Sequence, residues 1–239
     1  MKITGAYGGA NYQVLANKNK SSERLSSGKR INSASDDAAG LSISQKMESQ
    51  AKGLGSELRN IQTEMSSYQV QDTALETISA DLNQLNELAV QYNNGTLAES
   101  DREVLQNQAN EILENISTVA EETEFNGEQV VSEFNAEGLN LEENPLGDGA
   151  LSAIEDAFNQ IGEERGNIGS EINSLESQTS RIMVAQENSF AANSRIQDAD
   201  MLLETLNNTK AKILDETNQA VNAQQMNMSQ NRIMDILKG

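Results

Sequence analysis

MESQAKGLGSELRNIQTEMSSY, residues 47–68, places Met47, Ala51, Leu54, Leu58, Ile61, Met65 and Tyr68 at intervals that alternate by four and three. That spacing puts all seven on one stripe of an α-helix and turns the polar residues between them toward water. A stripe this narrow suits helices that touch along their length. Asp72 occupies the next position on it. Leu75, Ile78, Leu82, Leu85, Ala89 and Tyr92 then continue after a one-residue slip in phase, which predicts local overwinding. A helix from 45 to 92 would be roughly 70 Å long at 1.5 Å per residue. Asn93-Asn94-Gly95 predicts its end, with a residue suited to the left-handed region.

Downstream the same rhythm returns. Ser100-Asp101-Arg102-Glu103 reads as a capping box that opens a second helix. Leu105, Ala109, Ile112, Ile116 and Val119 form its seam as far as about 121. Asn126-Gly127 is a tight-turn signal, and a short hairpin is predicted near 126–134. Residues 132–150 read as an acidic loop. A last helix carries Leu151, Ile154, Phe158, Ile161, Arg165, Ile168, Ile172, Leu175, Thr179 and Ile182 in the three-four rhythm.

Both ends of the chain are thinner. Residues 1–20 offer only Ile3, Tyr7, Ala10 and Val14, weakened by Gly5, Gly8 and Gly9; each Gly costs about 1 kcal/mol against Ala in a helix. After Met201 the stripe runs through Leu203, Leu206, Ile213 and Ala220, then Met226, Met228, Ile233, Met234, Ile236 and Leu237. Such segments become helical only against partners. The fold that follows is all-α: an elongated antiparallel rod of three long helices over 45–192. Paired terminal helices, 1–31 and 201–239, form a coiled-coil-like domain that is disordered until assembly, reached through connectors 32–44 and 193–200. The terminal stripes are too thin for two helices alone, so other copies of the chain are required.

Composition narrows the function. Among 239 residues 3% are aromatic and one is Pro, so long helices run uninterrupted and no thick enzyme core is expected. Neither Cys nor His occurs. That removes disulfides, thiolate metal sites and the commonest general base. No run approaches 18 apolar residues, so no membrane span is expected. The N-terminus has no apolar core of a cleaved signal, and a chain that leaves the cell would use another route. The net charge is −20, which argues against nucleic acid and anionic membranes as partners. Between Asn60 and Glu164 the only basic residue is Arg102, against 23 acidic ones. The ends hold 16 basic and 14 acidic residues, balanced as parts that come together should be.

No catalytic or metal set emerges. Asp36-Asp37 has no third ligand type near it in sequence, and adjacent side chains diverge. Lys18, Lys20, Arg24, Lys29 and Arg30 form a basic cluster with only Tyr12 nearby for stacking. Pairing with Asp198 and Asp200, within or between subunits, is the reading preferred over nucleic-acid binding; a solvated helix face accounts for the cluster equally well. Three classes of function fit these features: a polymer subunit, a non-polymeric helical adaptor or export chaperone, and, distantly, an enzyme.

Residues 23–44, ERLSSGKRINSASDDAAGLSIS, join the thin N-terminal segment to the long seam. This string is similar to the N-terminal signature of bacterial flagellins. The resemblance continues in NELAVQYNNGT (86–96), EFNGEQV (124–130) and SRIQDADMLLE (194–204). It implies a subunit that is exported unfolded through the flagellar secretion channel and polymerises into the extracellular filament used for motility. The implied partners are further copies of itself, an export chaperone, and cap and hook-associated proteins, with no cofactor. The hook–filament junction protein is a related alternative, but that family usually has Pro after the Asp-Asp pair, where this chain has Ala38. Flagellins with a zinc-protease insert are excluded by the missing His. With only about 126–150 available for outer domains, a minimal filament is implied. Assembly roles fall to Arg24, Lys29, Arg30, Asp36, Asp37, Asp198 and Asp200 in the connectors. Ile3, Tyr7, Val14, Leu203, Leu206, Ile213, Ile233, Ile236 and Leu237 are assigned to terminal-helix packing.

The resemblance also implies that Glu87 and Leu88 lie in the segment contacted by the animal Toll-like receptor for flagellin, although simple rod packing explains Leu88 as well. Receptor-active members usually carry Arg where this chain has Gln84 and Asn86, and an acidic residue in place of Gln108. Losing a bidentate donor is not conservative. Weak activation is therefore expected in a receptor reporter cell, and a response equal to that of Arg-bearing flagellins would refute it.

Overall fold

The long seam forms one uninterrupted helix. The computed structural model describes residues 4–141 and 145–238, with side chains for 12–141, 145–232 and 234. In chain order the elements are α1 (Thr4–Ser27), α2 (Ala38–Tyr92), α3 (Glu99–Glu122), β1 (Glu124–Phe125), β2 (Glu128–Gln129), a 3₁₀ turn (Ser132–Phe134), α4 (Ala150–Gln197) and α5 (Met201–Lys238). Two compact units result, 1–53 with 185–239, and 54–184.

The 54–184 unit is a three-helix bundle. Leu75, Ile78, Leu82, Leu85 and Ala89 of α2 are fully buried against Ala109, Ile116 and Ala120 of α3 and Ile154, Ala157, Ile161 and Ile168 of α4. A second patch joins Ile61 to Leu175 and Ile182, flanked by Leu54, Leu58 and Met65. Between the two patches lies the polar break seen in the sequence. Arg165 Nε donates to Asp72 Oδ1 at 2.7 Å, and its Nη2 lies 3.8 Å from Glu76. The pairing of 72 with 165, and of 61 with 175 and 182, makes α2 and α4 antiparallel in this unit.

Four expectations shift. The helix predicted from 45 begins at Ala38, because Asp37 Oδ1 accepts the Gly40 N–H at 2.8 Å and caps it. The capping box at Ser100 does not form. The chain turns helical two residues earlier, at Glu99, with Ala98 at the N-cap and no side-chain bond there. Glu99 and Asp101 instead complement the helix dipole from the first turn. Gly95 is not left-handed; α2 stops at Tyr92, where Asn93 N–H still reaches Ala89 O and Asn94 Oδ1 takes the Thr96 N–H. The hairpin is 124–129 and not 126–134. Asn126 and Gly127, with φ of 55° and 82°, form the turn between Glu124↔Gln129 and Phe125↔Glu128. Residues 132–134 are the 3₁₀ turn that follows.

The acidic loop contributes to the helical core. Val131, Phe134, Ala136, Leu139, Leu141 and Leu146 are buried in the same cluster as the helices. Ala136 N–H bonds Ser117 Oγ, and Leu141 N–H bonds Ala136 O, which fixes the loop on α3 and on itself. Gly138 is required by close approach, since a Cβ there would sit 2.0 Å from the Glu133 carbonyl oxygen. Pattern reading misses this segment because its apolar residues follow neither a helical nor a strand period. Leu139→Ala should cost about 3 kcal/mol in urea unfolding. The exposed Val104→Ala serves as control and should stay within about 0.5 kcal/mol. Equal, small losses would show that the loop lies outside the core.

Candidate assembly site

The other unit contains the connectors and the terminal helices. Helix α1 ends at Gly28, which takes φ of 69° while its N–H bonds Arg24 O. The chain then runs extended beside the end of α4. Arg30 N–H donates to Gln197 O at 2.6 Å, Ala199 N–H to Gly28 O at 2.9 Å, and Lys29 pairs with Asp198 in an antiparallel bridge. Arg30 Nη2 adds a bond to Ile196 O at 2.7 Å. Ile31 is fully buried here, and Gly40 packs so close that a Cβ would lie 2.8 Å from Ile31 Cδ1.

Asp36 is the centre of the charged groups. Its Oδ1 lies 2.6 Å from Lys20 Nζ and 3.8 Å from Arg24 Nη2. Its Oδ2 accepts the N–H groups of Asn32 and Ser33, each at 3.2 Å. The Lys20 hydrogen bond, and then those two N–H groups, hold the carboxyl well below the ordinary Asp range against the opposing effect of burial. Arg24 reaches on to α5, with Nη1 3.8 Å from Glu204. The Ser21 hydroxyl donates to the same Glu204 carboxylate. One turn nearer the N-terminus of α1, Lys18 bonds Asp215 at 2.8 Å and lowers its pKa.

These contacts revise the charge pairing. The basic cluster meets Asp36, Glu204 and Asp215, and among the described residues it forms no ion pair with Asp198 or Asp200. Asp200 is an N-cap, its Oδ1 accepting from Leu202 and Leu203 N–H. Asp198 accepts from the Ser194 hydroxyl. Asp37 caps α2. The non-helical parts of the connectors are therefore only 28–37 and 198–200.

The face of α5 turned to α1 is polar. Glu204, Asn208 and Ala211 are buried there, with Asp215 beside them, and Asn208 Nδ2 donates to Ser22 Oγ. Their four-three-four spacing was the signal that a search for apolar stripes overlooks. Leu203, Leu206 and Ile213 are 56%, 60% and 57% exposed, and Val14 is half-buried. Ile3 lies outside the described residues, as do the side chains of Tyr7, Ile233, Ile236 and Leu237. At about 100° per residue, Leu202, Leu203, Leu206, Ile213, Leu214, Val221 and Met228 share an arc of about 120° centred opposite the α1-facing positions. In the 54–184 unit, Glu87 and Gln84 are exposed, and Leu88 is half-buried against the core.

A long heptad seam, Ser- and Asp-rich connectors and outward-facing apolar end helices match known proteins along most of the chain. The family described as the bacterial flagellin N-terminal helical region matches residues 11–136, and the bacterial flagellin C-terminal helical region matches 151–236. This chain belongs to the bacterial flagellins. The flagellin of Halalkalibacterium halodurans is 31% identical, covering 92% of this chain and 91% of its own. The flagellin of Bacillus subtilis is 30% identical over 92% of each, and the flagellar filament 33 kDa core protein of Treponema phagedenis 29% over 95% and 96%. Flagellins are structural proteins. Among the described residues no helix is long and apolar enough to cross a membrane.

The depressed Asp36 pKa has a definite sign. A carboxyl lowered in the folded state stabilises above its unfolded pKa and loses that contribution as pH falls. Asp36→Asn should thus lower the thermal midpoint of the parent chain at pH 7, followed by circular dichroism. The gap should close steadily as pH drops below about 4. A gap independent of pH would rule out the ion pairs as its source.

Proposed function

We propose that this flagellin is the structural subunit of a bacterial flagellar filament used for motility. On this reading 1–31 and 201–239 are the terminal domain that orders on assembly, 32–44 and 193–200 the connectors, and 45–192 the rod. The observation that carries this reading is the apolar arc on α5, exposed on the side away from α1. Leu202 is 74% exposed within it. Large apolar side chains left exposed in one chain, here interspersed with polar Lys210, Thr217 and Gln224, are the feature of a surface meant for further chains. A self-complementary contact that does not close on itself generates a helical polymer.

The remaining assignments follow from the same reading. The terminal segments order on assembly, the chain travels unfolded through the flagellar secretion channel, and the filament lies outside the cell. An export chaperone, cap and hook-associated proteins are its partners before and at the ends of the polymer. Glu87 and Leu88 remain the proposed contact for the Toll-like receptor, weakened by Gln84 and Asn86.

Removing residues 226–239 should abolish polymerisation and leave a soluble helical chain, seen by sedimentation and electron microscopy. The intact chain should gain helix by circular dichroism as it polymerises. Normal filaments from the truncation, or no helix gained, would sink the reading.

A further inference from the structure

We infer that the cavity between α1 and α5 receives a carboxylate side chain from the 54–184 unit of a second copy of this chain; the inference rests on the filament reading above. The cavity has a volume of about 260 Å³ and is lined by Lys20, Arg24, Lys210, Glu204 and the amides of Asn17 and Asn207. Lys20 and Arg24 share Asp36, and Arg24 also faces Glu204. Lys210 has no carboxylate partner among the described residues. Three cations thus stand against two carboxylates, one positive charge in excess. Arg24 Nε is a buried donor with no acceptor. A donor left that way costs free energy that an incoming acceptor recovers.

The chain itself supplies that acceptor in abundance. Residues 54–184 hold 26 carboxylates and four arginines, a net charge of −22, while 1–53 with 185–239 hold 13 cations and 11 carboxylates, a net of +2. Of the four arginines, Arg165 is already engaged by Asp72 and Glu76. Packing two such acidic units against one another opposes like charges. Setting an acidic unit against the cationic cavity of a neighbour replaces repulsion by complementarity. Asn17 and Asn207 also line the cavity, and each can donate to a carboxylate through its Nδ2.

The test uses the full chain. Isotopically light and heavy copies are copolymerised and treated with a water-soluble carbodiimide. The reagent joins an amine and a carboxylate in contact as an amide, taking up the water released. Mass spectrometry should find Lys210 of one isotope joined to an Asp or Glu within 54–184 of the other. Polymer in which Lys210 is joined only within its own chain, only to carboxylates of 185–239, or to nothing overturns the inference and leaves the filament reading intact. Failure of the parent chain to polymerise overturns both. In parallel, Lys210→Gln should raise the concentration at which polymer appears about tenfold. Lys210→Arg should restore it, with both free chains giving the parent circular dichroism spectrum. Unchanged polymerisation of the Gln variant also counts against the site.

Discussion

One carboxylate, Asp36, joins three segments that have little else to hold them. Through Lys20 and Arg24 it ties the connector to α1, and through Arg24 and Glu204 the same chain of charges reaches α5. The face that α1 and α5 share is built from Ser21, Ser22, Lys18, Glu204, Asn208 and Asp215, with Ala211 as its small apolar member. Partly exposed ion pairs contribute about 0–1 kcal/mol each. Such a seam aligns two helices without gripping them, and the backbone pairing of Gly28–Arg30 with Gln197–Ala199 supplies the fixed point from which they extend.

The 54–184 unit works on the opposite principle. Its strength is buried Leu, Ile and Ala, and its surface is almost wholly of one sign. Asp72 and Arg165 stand where the two apolar patches meet and where the sequence slips phase by one residue. Both side chains are partly exposed, so the pair adds little energy and serves to favour one register of α4 on α2.

Periodicity made much of this architecture legible. Long, strictly spaced seams read true at Met65 through Ala89 and at Ile154 through Ile182, because burial on one face is what spacing encodes. Helix ends were less legible. A cap is a local contest between one side chain and the backbone: Asp37 won it eight residues before the helix expected from 45, and Ser100 lost it by two. The loop of Val131 to Leu146 was opaque, since irregular chain buries side chains without any period. In the connectors the sequence exposed which residues mattered and not which met. Asp36 and Arg24 stood out as charged groups, but their partners, Lys20 and Glu204, are chosen by the turn at Gly28 and by the phase of α5.

Over residues 202–214, helix α5 turns its sides the opposite way from an ordinary surface helix. Its polar side meets its own chain, and its apolar side meets solvent in the free subunit. On the filament reading proposed above, residues that hold the subunit together and residues that meet its neighbours lie on opposite sides of one cylinder. Affinity between subunits can change through the outer arc while the fold of each subunit stays as it was. The strength of a polymer and the stability of its building block are thus separately adjustable along a single helix.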